Sequence, residues 1–290
     1  MITMPGNKTV SVILPNYNYA NYLKSRINEV LSQTYPISEI IILDDASTDN
    51  SQKVIEEEIN RIKGQHPEIT VKCVMNEKNS GNVFLQWQKG IKLATSNYVW
   101  ICELDDISKQ NFLEVTMKSF NDKNVVLSYC NSKIIDANGK MPLKDNLRRI
   151  KDVFRKKHNI GSYIVDGVEE INNNLAVYNS MPNVSAIVFK NQPKLSSFLD
   201  TAKNYKLCGD WYFYLMVATT GKIAFSNKVL NSHRVHQKSV TKNTSLNERY
   251  KEMQEIHKFA KNNIKLSEPT ISRMDKIELD LAKKWKIKEN

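Results

Sequence analysis

Three carboxylates, Glu103, Asp105 and Asp106, fall within four residues, directly after the apolar run Tyr98 to Cys102. A buried strand that ends abruptly in acids presents them at its C-terminal tip. Holding them together costs repulsion. A hard divalent cation such as Mg²⁺ relieves it by taking carboxylate oxygens and sharing the rest of its shell with phosphates. A solvated acidic loop after a strand is the other reading of the same residues. Asp44 and Asp45 end the apolar run from Glu39 in the same manner. Polar Asn16-Tyr17-Asn18 follows Val10 to Leu14, a short strand that Pro15 stops. A lone Asp210 opens the aromatic stretch Trp211 to Tyr214, a position that suits a helix N-cap.

The elements that must position these groups are legible from periodicity. Buried-type strands are expected at residues 10–14, 39–43, 69–75, 98–102 and 125–129. Between them, Leu23, Ile27, Val30 and Leu31, then Val54, Ile55 and Ile59, then residues 81–93, recur at helical spacing, and a further helix is expected at 107–120. Strands alternating with helices predict an α/β fold, a parallel sheet covered on both faces, with ligands outside the carboxyl ends of the strands. The three polar clusters then converge on one crevice, which argues that the acids are functional. Further along, strands are expected at 184–189, 223–225 and 229–235 and a helix at 210–217. Residues 131–165 are polar, basic and poorly periodic, most basic at 144–157, and are either a solvated insertion or an acceptor loop or lid. From Leu246 the pattern is helical and Lys-rich. Two parts follow: residues 1–240, and a basic helical C-terminal extension, 241–290.

The composition is that of an ordinary soluble globular protein, 41% hydrophobic and 25% charged over 290 residues. No apolar run is long enough to span a bilayer. The N-terminal residues hold no apolar core of a signal peptide. Cys73, Cys102, Cys130 and Cys208 stand far apart with no Cys-x-x-Cys pair, which counts against a zinc ribbon and suits a reducing, cytoplasmic setting. A net charge of +11 calls for an anionic partner. With no zinc-finger spacing and no RNA-binding aromatic motif, nucleic acid ranks below phosphorylated substrate and anionic lipid.

Four pieces resemble the family 2 glycosyltransferases, which have the GT-A nucleotide-sugar-binding fold: Val10-Ser11-Val12-Ile13-Leu14-Pro15-Asn16-Tyr17-Asn18; Asp44-Asp45-Ala46-Ser47-Thr48-Asp49, with Ala46 for the usual Gly; Asn79-Ser80-Gly81 with Gln86-Trp87-Gln88-Lys89-Gly90-Ile91, leading into Glu103-Leu104-Asp105-Asp106; and Gly209-Asp210-Trp211. The third piece departs from the commoner Ala-Arg-Asn-x-Gly and is similar to a bacterial subgroup. The resemblance implies an inverting, metal-dependent transfer of a sugar from a nucleoside-diphosphate sugar (UDP, dTDP or GDP) to a saccharide or lipid-linked acceptor, in bacterial surface polysaccharide synthesis. It implies donor contacts from Pro15, Asn16, Tyr17, Asp45, Gln88, Lys89 and Asp105. It places Mn²⁺ or Mg²⁺ on Asp106 and makes Asp210 the general base. The segment His233 to Thr241 is similar to the family's closing segment, so Arg234 and Lys238 would meet the diphosphate and His236 would complete the metal shell.

Two other functions compete. A sugar-1-phosphate nucleotidyltransferase needs a Gly-rich phosphate loop after the first strand, and Pro15 to Tyr19 holds no glycine. A non-catalytic nucleotide-sugar-binding module is free to lose a carboxylate, yet each expected one is present. The tail has two readings: a helix packed on the catalytic domain, or a basic stretch with Trp285 making peripheral contact with an anionic membrane.

Overall fold

The computed structural model describes residues 8–141, 161–181, 183–235 and 244–287. Its first half follows the expected alternation. Strands β1 (Val10–Asn16), β2 (Glu39–Asp44), β3 (Thr70–Met75) and β4 (Tyr98–Ile101) alternate with helices α1 (Ala20–Leu31), α2 (Ser51–Gln65) and α3 (Val83–Leu93). All three pairings, β3 with β2, β2 with β1 and β1 with β4, are parallel. Pro15 does not stop β1: it stands in register with Leu43 and the strand runs on to Asn16.

The second half is mixed. A short β5 (Ile107–Ser108) precedes helix α4 (Phe112–Lys118), where one continuous helix was expected. The apolar pattern there belongs to a strand that returns to the sheet edge. There follow β6 (Val125–Ile135), β7 (Tyr163–Asp166), the short helix α5 (Gly167–Glu170), β8 (Ile187–Lys190), α6 (Lys194–Ala202), α7 (Gly209–Ala218) and β9 (Lys222–Arg234). The order across the sheet is β3-β2-β1-β4-β8-β6-β9-β5, with β7 also on β9. β8 runs antiparallel to β4 and β6, and β9 pairs parallel with β6. The expected pair of strands at 223–225 and 229–235 is one long strand, whose register shifts against β6 near Cys130 and Asn131 let it bend.

Side chains alternate between two apolar layers. Ile13, Ile41, Val99 and Ile101 face one layer, and Val12, Leu14, Ile40 and Trp100 the other. Helix α3 lies against β1 through Gly90, where a Cβ would stand 2.4 Å from the Ile13 side chain. The C-terminal helices α8 (Leu246–Asn263) and α9 (Glu268–Trp285) join this body. Met253, Ile256, Ala260 and Met274 are buried in the same cluster as Trp211 and Tyr212 of α7. The basic tail therefore has a packed face, with Leu279 and several lysines on its other side. No helix among the described residues is long and apolar enough to cross a membrane.

Candidate active site

The polar tips of β1 and β2 interlock. Asp44 is fully buried: it accepts from the Asn16 amide at 2.5 Å and from the Ser47 backbone N–H at 3.0 Å, so it holds the turn. Asn18 turns the chain with φ +58°, and its side-chain Oδ1 accepts from the backbone N–H groups of Thr48 and Asp49. Ala46 sits at φ +59°, the left-handed region that glycine occupies without strain. The Asp44 bonds free its neighbour Asp45 for a different set of contacts. One Asp45 oxygen accepts from Asn76, Gln86 and the Ser80 backbone N–H; the other accepts from Ser80 alone. A carboxylate offers about four acceptor positions, and the second oxygen takes both the hydroxyl and the backbone N–H of Ser80, so a ligand N–H would have to displace one of these donors. The Asn16 Oδ1 and Gln86 Oε1 atoms beside it are buried with no hydrogen-bond partner among the described residues.

The acids after β4 are held in unequal states. Trp87 Nε1 donates to Glu103 at 3.1 Å, while burial and the charges of Asp105 and Asp106 push the Glu103 carboxyl up to about 8. Burial works against the charge of Asp106 as well. Yet His233, 3.3 Å away, with Arg26 and Ser185, holds its carboxyl below the usual range. The Arg234 backbone N–H also donates to Asp106, at 3.0 Å. His233 becomes more basic in return: burial lowers its affinity for a proton, and the adjacent acids more than offset that. Beneath the cluster lies Arg26, fully buried over the Trp100 ring and bonded to Glu29 and Ser108.

Asp210 stands in the first turn of α7 and accepts from Asn179 Nδ2 at 3.1 Å and from the Trp211 backbone N–H at 2.6 Å. Burial pushes its carboxyl up to about 6. Gly209 is dictated by space, since a Cβ there would stand 2.4 Å from the Ala202 carbonyl and 2.5 Å from the Phe84 ring. Tyr214, one turn on along the same face, carries a buried hydroxyl with no partner among the described residues; burial raises its pKa most, and Asp210 and Glu103 add to it. The two carboxylates thus act on one phenol.

Of the residues expected at the donor, the fold brings Asn16, Asp45 and Lys89 together, the last through its bond to Asn76. Tyr17 is exposed beside them, and Pro15 is buried in β1. Gln88 is elsewhere: its amide donates to Ser196 and Asp200 on α6. Residues two apart on a helix face opposite ways, so Gln86 and Lys89, not Gln88, share the face toward Asp45. Asp105 lies at the acid cluster, where its carbonyl accepts from Arg234 Nε at 2.7 Å. Arg234 Nη1 donates to the carbonyls of Asp136 and Ala137, so much of this guanidinium braces the fold. His236, Lys238 and residues 142–160 lie outside the described residues; the ends of the segment expected to be irregular, 131–135 and 163–165, are instead strand, in β6 and β7. Sequence reasoning missed His233, Asn76, Ser80, Gln86 and Asn179. Helical spacing from Lys89 points to Gln86; the others are reached only through tertiary contact.

Among the described residues no set of three His, Cys, Asp or Glu side chains stands at metal-binding spacing. The donors present are nonetheless of the right kind for Mg²⁺ or Mn²⁺. Mg²⁺ typically takes one or two carboxylates and completes its shell with water and substrate phosphates. Asp106 and Asp105 meet that requirement.

The model for Glycosyl transferase family 2 matches residues 11–169, which run from β1 into α5. The chain belongs to this family. Over 227 residues it is 27% identical to the poly(ribitol-phosphate) β-N-acetylglucosaminyltransferase TarP of Staphylococcus aureus, covering 72% of this chain and 63% of that protein. Its fold matches S. aureus TarS in complex with UDP-GlcNAc, with TM-score 0.65, 18% identity, and 96% and 73% of the two chains covered. It also matches the mannosyltransferase PcManGT of Pyrobaculum calidifontis in complex with GDP-Man and Mn²⁺, with TM-score 0.64, 17% identity, and 94% and 69% covered. These likenesses establish the GT-A fold. The chain spans 38%, 42% and 63% of the lengths of three curated relatives it matches.

Proposed function

We propose that this chain transfers a sugar, with inversion, from a nucleoside-diphosphate sugar to a saccharide or lipid-linked acceptor in bacterial surface polysaccharide synthesis. The observation that carries the proposal is the convergence of three differently prepared carboxylates on one end of the sheet. Asp45 is clamped by Asn76, Ser80 and Gln86 just beyond β2, a position that suits an acceptor for the N–H of a base edge. Asp106 is held ionised beside Asp105, and these two would hold Mn²⁺ or Mg²⁺, with His236 as a further candidate. Such an ion, when bound, supplies charge that stabilises the departing diphosphate. Asp210 is a carboxylate desolvated enough to be a competent base yet ionised at neutral pH. Asn179 and the Trp211 N–H orient it. It takes the acceptor hydroxyl's proton as that oxygen attacks the anomeric carbon opposite the leaving group. One displacement inverts the centre. Support also comes from relatives: TarP is named as an N-acetylglucosaminyltransferase, and the two structural neighbours hold UDP-GlcNAc and GDP-Man. The test is a panel of UDP-, dTDP- and GDP-sugars with Mn²⁺, scored by thermal shift and by nucleotide release. Stabilisation and release by wild type, with release lost in Asp106→Asn, is the expected result. No response to any sugar overturns it.

A further inference from the structure

The C-terminal helices reach the segment that carries Asp210. Glu252, on α8, is partly buried, and its carboxylate accepts three consecutive backbone N–H groups: Lys206 at 2.7 Å, and Leu207 and Cys208 each at 2.8 Å. These residues form the turn between α6 and α7 and end one residue before Gly209. The turn has no side-chain cap of its own: the Cys208 side chain makes no capping bond. Backbone donors at a helix start need partners, and charge-assisted bonds to a carboxylate are roughly twice as strong as neutral ones. One side chain more than forty residues away thus ties down the turn that leads into α7.

The same helix pins the other side of Asp210. The His257 ring, five residues on, is buried edge-on against Trp211, with one nitrogen 2.6 Å from Glu278 of α9 and the other 3.2 Å from the Val177 carbonyl. Val177 lies two residues before Asn179, which bonds Asp210. Trp211 Nε1 in turn donates to the Leu175 carbonyl at 2.6 Å. Asp210 therefore sits between two loops that α8 grips from one side.

We propose that Glu252 is a positioning residue for transfer: it fixes the turn before α7 so that Asp210 meets the acceptor hydroxyl. This rests on the reading of Asp210 as the base. Glu252 acts through the backbone and touches neither donor nor acceptor. The titratable groups facing Asp210 are Glu252 on α8, Cys208 at the head of α7 and Tyr214 one turn along it, with Glu103 beyond Tyr214.

The experiment uses the full chain with the nucleotide sugar that wild type hydrolyses in the Mn²⁺ panel. Glu252→Gln keeps the size and one acceptor oxygen but removes the charge and the second strong acceptor. The expected result is a fall in kcat of about tenfold or more, within the roughly hundredfold that a 1 Å displacement costs, with donor KM unchanged. The acid limb of the pH–rate profile moves to lower pH, since a negative charge beside Asp210 is gone. Backbone amides of Lys206 to Cys208 lose hydrogen-exchange protection, while those of β1 and β4 keep theirs. A rise in donor KM at constant kcat, or an unmoved acid limb with unchanged kcat, overturns the proposal. Asp210→Asn runs alongside. If it retains turnover, the base assignment fails; if it loses turnover while Glu252→Gln does not, only the Glu252 role fails. Should Glu252→Gln unfold, Glu252→Asp replaces it with the same readouts. Should no sugar be hydrolysed, the functional reading falls, and unchanged exchange at residues 206–208 separately overturns the grip.

Discussion

Replacing Asp210 with Asn should make the protein more stable at alkaline pH, although it removes a residue assigned to catalysis. Burial raises this carboxyl from 3.8 to about 6, so the folded chain favours the neutral acid. The sign follows from linkage. Between the two values the folded chain holds a proton that the unfolded chain has released, so the group's contribution to stability falls as pH rises through that window and stays lost above it. A shift of about two units corresponds to about 3 kcal/mol. Asn removes the ionisation but has one oxygen, and Asn179 and the Trp211 N–H donate to different Asp210 oxygens, so one bond, about 1 kcal/mol, is lost. The net gain at pH 8 is then about 2 kcal/mol, and at roughly 2 °C or less per kcal/mol for a chain of this length Tm should rise by roughly 2–4 °C. At pH 4, where wild type is also neutral, the gain should be gone. Scanning calorimetry of both proteins at pH 8, 6 and 4 measures this. Equal melting at pH 8, or a difference that widens toward pH 4, refutes the claim that Asp210 is a desolvated carboxylate.

Ala46→Gly should stabilise the fold by about 0.5–1 kcal/mol in urea unfolding, since left-handed backbone costs a non-glycine residue about 1–2 kcal/mol and glycine's freedom in the unfolded chain returns part of it; a loss of stability contradicts the φ of +59°. Gly209→Ala forces a contact of 2.4 Å onto the Ala202 carbonyl. It should cost about 1–3 kcal/mol and depress turnover more than donor affinity, by denaturation and kinetics on the same preparation. EDTA should abolish nucleotide release and Mn²⁺ or Mg²⁺ restore it, while full release in chelator removes the ion from the account.

The first half of the fold was legible because β1, β2 and β4 are buried on both faces and read as continuous apolar runs that stop where they surface. Asp44, Asp45, Glu103, Asp105 and Asp106 mark those stops. The strands that bring in antiparallel pairings, β5, β8 and β9, were harder. Ile107 and Ser108 are too short to show a period, and β9 reads as two strands because it bends at register shifts set by β6. Within the site, residues on strand ends were legible and their partners were not. Asn76, Ser80 and His233 reach Asp45 and Asp106 from loops and a neighbouring strand, with no spacing to announce them. The choice of Gln88 over Gln86 ignored the helical period. The tail's composition marked it as an extension with a packed helix as one of its two readings, and Met253, Ile256 and Met274 do join the core cluster; only the packed structure brings Glu252 to the turn before α7.

The central claim is that donor binding and proton abstraction reside in different carboxylates on one sheet end. Titration calorimetry with the responsive nucleotide sugar and Mn²⁺, paired with nucleotide release in the same buffer, tests it on wild type and Asp210→Asn. The account predicts donor affinity within about twofold of wild type and release reduced on the order of 10² to 10⁴-fold. Release near the wild-type rate, or donor affinity lost together with release, would contradict it.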